Sequence, residues 1–152
     1  MALGTDLAVV PNLVAHDAAE VDLVLRPCAV PRPRPGEARE VFDLAVIRER
    51  ENLAQALILR LLTPVGSLAQ LGHAAYGSRL HELIGQRKTE PLRNLCRAYV
   101  LEAIAQEPRV EPKAIDLQFD PLAETIDSFR FTVAVQPVAG GEAIAVTLEV
   151  AL

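Results

Sequence analysis

Three histidines, two cysteines and a set of carboxylates are the residues of this chain with the most chemical potential, and their spacing argues against most of what they could do. His73 and His81 lie eight apart across an expected Gly-Ser turn, and His16 is distant in the chain. Two ligands on one helix sit a single turn apart, so no metal site is expected. Ser67 and Ser78 lack the small-residue elbow that exposes a catalytic serine. Cys96 falls on an apolar helical stripe, where a structural thiol belongs and a nucleophile does not. Glu82, Glu102 and Glu107 are candidates for an acid and base pair, but glycoside hydrolysis also needs a groove and a defined carboxylate separation that spacing does not supply. No phosphate loop or metal cluster is present in the sequence, so no cofactor is expected. Glu107-Pro108-Arg109 reads by itself as a helix stop with exposed charges.

The elements that would position these groups follow from the apolar pattern. Over residues 51–62 apolar side chains fall on every face of a helical wheel: Leu53, Leu57 and Leu61, but also Ile58, Leu59 and Leu62, interrupted by Asn52, Gln55 and Arg60. So apolar a helix must be covered nearly all round. A bilayer crossing takes about 20 residues, so the expected cover is protein. The helix ends at Thr63-Pro64, because the residue before a proline is pushed out of the helical region, and Gly66 continues the turn. A short helix is expected over 78–84, stopped by Gly85. In the next, Thr89 can cap, Pro91 fits the first turn, and Leu92, Leu95, Cys96, Tyr99, Val100 and Ala103 form a stripe opposite Arg93, Asn94, Arg97 and Glu102. Pro108 ends it.

Elsewhere the period is near 2. Ile115, Leu117 and Phe119 alternate with polar residues, as do Phe129, Phe131, Val133 and Val135. Gly140-Gly141 then turns the chain into Ile144, Val146, Leu148 and Val150, so 129–151 reads as a hairpin that finishes at the last residues of the sequence. A strand at a sheet edge is either blunted or used for pairing. Near the start, residues 6–10 (DLAVV) and 43–47 (DLAVI) are near copies, both expected as strands. A further strand is expected around Val21, Leu23 and Leu25. The run RPCAVPRPRPGE at 26–37 reads as an extended polyproline-type linker, with Arg32 and Arg34 solvated or serving as a docking strap.

The totals set bounds. A chain of 152 residues with 51% apolar and 23% charged residues reads as one domain, 1–152. It divides into N-terminal strands with the Pro-rich insert (1–41), a helical core (42–112) and C-terminal strands (113–152). The fold class expected is α+β, helices packed on a mainly antiparallel sheet with a C-terminal β-hairpin. A net charge of −5 and only two lysines, Lys88 and Lys113, argue against a nucleic-acid partner. The N-terminus has no signal-peptide pattern, because Asp6 and Asn12 interrupt its apolar positions. Cys28 and Cys96 are expected as free thiols in a reducing cytoplasm.

The ordered combination of ENLAQALILRLLTPVGSL, YGSRL and EPRV resembles the baseplate wedge and sheath-initiator family of contractile tails, found in contractile phages, type VI secretion baseplates and extracellular contractile injection systems. The likeness spans about residues 42–112, and the C-terminal strands agree more loosely. The opening LGTDLAVV, the Pro-rich insert and the second DLAVI strand are most similar to the extracellular branch.

This resemblance implies a structural, non-enzymatic protein, with six copies around the tube. Its partners would be the sheath protein, baseplate wedge proteins and the tube, hub and spike proteins, with no membrane partner. The protein would sit in the cytoplasm during assembly and then in a phage tail-like particle, including one released from the cell. The resemblance also implies that Glu107, Pro108 and Arg109 dock onto the wedge. It implies too that the strand of Ile144, Ala145, Val146, Thr147, Leu148, Glu149 and Val150 pairs with the first sheath ring. Two other readings stay open: a muramidase-like enzyme, since part of the family carries a lysozyme label, and a cytoplasmic adaptor that binds a regulatory partner.

Overall fold

The computed structural model describes residues 3–10, 25–29 and 40–152. In chain order these form β1 (Thr5–Leu7), β2 (Leu25–Ala29), β3 (Glu40–Leu44), β4 (Val46–Arg48), α1 (Glu49–Leu62), α2 (Glu90–Ala105), β5 (Val110–Phe119), β6 (Ser128–Pro137) and β7 (Ile144–Ala151). Two 3-10 turns, Ala69–Leu71 and Leu80–Leu83, lie between the helices. The architecture is α+β.

The C-terminal alternation produces a three-stranded antiparallel sheet in the order β5-β6-β7. Phe129, Phe131, Val133 and Val135 of β6, Ile144, Val146 and Leu148 of β7, and Leu117 of β5 point to one buried face. Helix α1 packs on β7 and α2 on β5. Phe119 meets Phe129 and Phe131 edge-on, with ring centroids 6.0 and 5.8 Å apart. Each such apolar side chain contributes about 1.5–3 kcal/mol by leaving water, so the period-2 pattern and the helical stripes together specify the sandwich of helices on sheet.

Helix α2 starts where its signals place it. Thr89 is extended and its hydroxyl accepts the Leu92 N–H at 3.3 Å, with Pro91 in the first turn. Cys96, Tyr99, Val100, Ala103 and Ile104 are buried. Leu95 departs from the expected stripe and is 41% exposed. It lies roughly 100° round the helix from Cys96, beyond the line that faces the sheet. The expected helix over 78–84 is only the 3-10 turn Leu80–Leu83.

Helix α1 is covered nearly all round, and here the polar residues depart from expectation. Asn52, Gln55 and Arg60, read as interruptions of an apolar cylinder, are themselves buried. At its C-terminus Thr63 takes an extended conformation before Pro64, and the buried Ser78 hydroxyl donates to the Leu61 carbonyl at 2.6 Å. That hydroxyl satisfies a carbonyl the helix leaves open.

The two near-copies pair with each other. Leu7 stands opposite Val46 in the β1–β4 ribbon, and the Ala8 N–H donates to the Ala45 carbonyl at 2.8 Å. In each copy the aspartate accepts the next N–H, Asp6 from Leu7 and Asp43 from Leu44, both at 2.8 Å. The second copy is divided between β3 and β4. The Pro-rich linker begins later than expected, because Arg26, Pro27, Cys28 and Ala29 belong to β2 and pair with β3 from Asp43 to Glu40. Its remainder, and the strand expected around Val21 and Leu23, lie outside the described residues, as does the side chain of Cys28.

Candidate functional site

Three stretches distant in sequence converge around Glu107. Arg60 comes from the last turn of α1, Tyr76 from the YGSRL segment, and Glu107 and Arg109 from the link between α2 and β5. Glu107 is 5% exposed. Its Oε1 accepts from Arg109 Nε at 2.6 Å and its Oε2 from Arg60 Nη2 at 3.4 Å. The Arg60 guanidinium also lies over the Tyr76 ring, 4.5 Å from its centroid, and Arg60 Nε is buried without a hydrogen-bond partner. Burial pushes the Glu107 carboxyl upward. The Arg109 hydrogen bonds and charge, with Arg60 behind them, outweigh that and hold it below the usual carboxylate range. It stays ionised as the anionic centre of the cluster.

Arg109 extends the cluster to the other end of the chain by donating from Nη1 to the Leu3 carbonyl at 3.1 Å. Asn52 Nδ2 donates to the same carbonyl at 2.8 Å. Gln55 holds the next residues: its Oε1 accepts the Val9 and Val10 N–H groups at 2.7 and 3.2 Å, and its Nε2 donates to the Leu7 carbonyl at 2.8 Å. A side-chain amide with both ends used in this way replaces ladder bonds that the short β1 does not make.

The expectation that Glu107 is an outward-facing charge is therefore corrected. Its carboxylate is enclosed by its own chain, Arg109 is half-buried, and Pro108 alone of the three is exposed. YGSRL is likewise occupied internally. Gly77 has a φ of 116°, and a Cβ there would collide with the Thr63 carbonyl oxygen. Arg79 forms a double hydrogen bond to Glu82 at 2.9 Å and lies over Tyr99, whose hydroxyl donates to Glu82. The Arg79 hydrogen bonds, then that of Tyr99, lower the Glu82 pKa.

The second region is the edge formed by β7. Leu152 N–H donates to the Asp127 carbonyl at 2.7 Å, and Ser128 stands opposite Ala151. Hydrogen-bonded and non-hydrogen-bonded pairs alternate along an antiparallel ladder. Ile144, Val146, Leu148 and Val150 therefore bond inward to β6, while Ala145, Thr147, Glu149 and Ala151 turn their N–H and C=O groups outward. The hydroxyls of Thr132 and Thr147 are 2.8 Å apart, the close side-chain approach that a non-hydrogen-bonded pair allows. Eight consecutive residues pair with β6 without a bulge. Arg50 fixes the entrance to the strand, donating to the carbonyls of Glu142 and Ala143 at 2.6 and 2.9 Å.

The opposite edge of the sheet is blunted. The β5–β6 register breaks between Val110 and Ile115, Pro112 has no N–H, and Arg97 Nη1 donates to the outward Leu117 carbonyl at 2.9 Å. Bulges, prolines and edge charges discourage strand addition. The two edges thus offer different things to a partner, and β7 offers a straight row of backbone groups. This parity is the signal that sequence reading missed: alternation marks which side chains are buried, but the ladder decides which amides face out.

Among the described residues no cluster of three or more metal-ligating side chains forms, and no helix is long and apolar enough to cross a membrane. His73 and His81 are both exposed, and His16 lies outside the described residues. Cys96 is a free, fully buried thiol whose pKa burial pushes up to about 12, so it is protonated at neutral pH. Compared with known proteins, the chain matches no family model, no curated protein and no solved structure.

Proposed function

We propose that this protein is a structural baseplate component of a contractile injection system, and that it nucleates the sheath by strand addition to β7. The observation that carries the reading is the outward set of backbone groups at Ala145, Thr147, Glu149 and Ala151 on an eight-residue strand. An incoming strand gains main-chain hydrogen bonds from such an edge, and the alternating side chains fix its register. The motif resemblance supports the identity of the partner, a sheath subunit. Placement around a tube would follow from heterologous contacts that close into a ring.

Within this reading the Glu107 cluster is the frame. It ties α1, the end of α2 and the N-terminal segment together, so that β7 is held from behind by α1 and laterally by β6. Wedge docking, implied for Glu107, Pro108 and Arg109, falls to the surface around Pro108 and the exposed part of Arg109. Electron microscopy of particles from a strain lacking this chain tests the proposal. Baseplates and tubes without extended sheath are expected; normally sheathed particles would refute it.

A further inference from the structure

Eight residues, 120–127, join β5 to β6, where hairpin connections commonly take two to five. Its tip carries the two most exposed large apolar residues described, Leu122 at 99% and Ile126 at 91%. Yet the connection is tightly held. Between them Glu124, with 1% of its side chain exposed, accepts from Arg93 Nη1 and Nη2 at 2.6 and 2.9 Å and pairs with Lys88 Nζ at 2.9 Å. It also accepts the Arg130 N–H at 3.3 Å. Lys88 donates to the Thr125 carbonyl at 2.6 Å, and Asp120 Oδ1 accepts the Leu122 and Ala123 N–H groups.

The Glu124 clamp stabilises the fold, but aiming leucine and isoleucine at water adds nothing to it. Rigid apolar anchors do have a use in binding, because less freedom is lost when they are covered. We propose that residues 120–127 form a preset apolar knob, with Leu122 and Ile126 entering an apolar socket on the same protein whose strand adds to β7. The inference rests on the strand-addition reading above.

Two features specify that occupant. The knob adjoins the end of the β7 edge, since Asp127 accepts the Leu152 N–H, so a partner lying along β7 reaches it without a second contact elsewhere. Exposed Asp120 and Asp127 flank the apolar tip, which fits a socket rimmed by arginine or lysine.

Binding of purified sheath protein to the full chain tests this, with Leu122→Ser/Ile126→Ser compared with wild type and Thr147→Pro. The double substitution is expected to keep the melting temperature, since both side chains are already in water, and to weaken binding at least ten-fold. Added salt should weaken wild-type binding more than that of Asp127→Asn. Unchanged affinity in the double variant would overturn the knob while leaving strand addition standing. Weak binding by the double variant beside normal binding by folded Thr147→Pro would remove strand addition and, with it, the assignment of the knob's socket to the strand donor. No binding by the wild-type chain would remove both. Self-association of the wild type that the double variant abolishes would make a second copy the occupant and overturn the assignment to the β7 partner.

Discussion

The Glu107 cluster and the β7 edge are opposite solutions for polar groups. Around Glu107, two guanidiniums, a carboxylate and an aromatic ring pair inside the chain, with only Arg60 Nε left without a partner among the described residues. Along β7 the outward amides and carbonyls have no partner among the described residues. A set of charges that looks like a docking motif in sequence is used up by the fold, whereas a strand that looks like ordinary core turns a row of strong, directional groups outward. Partner capacity lies where hydrogen-bonding groups remain open, and that depends on pairing more than on residue type.

The largest effect should come from emptying the cluster. Glu107→Ala leaves buried Arg60 without its counter-charge and releases Arg109, and breaking a buried ion pair costs about 3–5 kcal/mol. Urea unfolding measures it. A loss below about 1 kcal/mol, within the range of exposed pairs, would mean that the cluster is loosely held and open to a partner, which erases the contrast.

Next in size is a pair of neighbouring prolines that read the ladder's parity. Val146 bonds inward, so Val146→Pro should destabilise by on the order of 3 kcal/mol by deleting a ladder bond and straining a central segment. Thr147→Pro removes an outward N–H and the Thr132 contact, and should cost about 1 kcal/mol. Equal losses in thermal unfolding would contradict the assignment of which amides face out.

Acid should act on the β5–β6 connection. The Arg93 hydrogen bonds, and then Lys88 against the opposing effect of burial, hold Glu124 down to about 2 from an ordinary value near 4.5. A carboxyl depressed in the folded state contributes stability that is complete above the unfolded pKa and is lost as pH falls through that value toward the folded one. Its contribution is roughly 2–3 kcal/mol. Stability should decline between about pH 5 and pH 2, and Glu124→Gln should flatten that limb while lowering stability at pH 7. An unaltered acid limb in Glu124→Gln would show that the clamp is not what titrates.

The smallest effect sharpens the contrast between the two edges. Arg97→Ala uncovers the Leu117 carbonyl at a cost of about 1 kcal/mol. Light scattering should then show more self-association as the β5 edge opens. No change would mean that the register break and Pro112 blunt the edge without Arg97.

Much of the fold was legible in the sequence because burial follows periodicity. The alternation at Phe129 to Val135 and at Ile144 to Val150, the Thr89 cap and the Thr63-Pro64 stop all correspond to observed elements. The buried roles of Asn52, Gln55 and Arg60 were hidden, since a polar residue on an apolar helix is ambiguous until its partner from a distant segment is known. Leu3, Val9 and Glu107 supply those partners from 46 to 49 positions away. Glu107 was misplaced for the same reason: a charge after a helix stop reads as solvated unless two arginines are known to surround it. The β7 edge was visible as a terminal strand, but its open side required the register.

Particles assembled with Thr147→Pro in place of the native chain are the decisive test of strand addition to β7, with Thr147→Val as the control that loses the hydroxyl and keeps the N–H. Baseplates and tubes that incorporate folded Thr147→Pro protein and carry no ordered sheath are expected, beside normal sheaths on Thr147→Val. Full-length, regularly ordered sheaths on particles that contain the Thr147→Pro protein would contradict it.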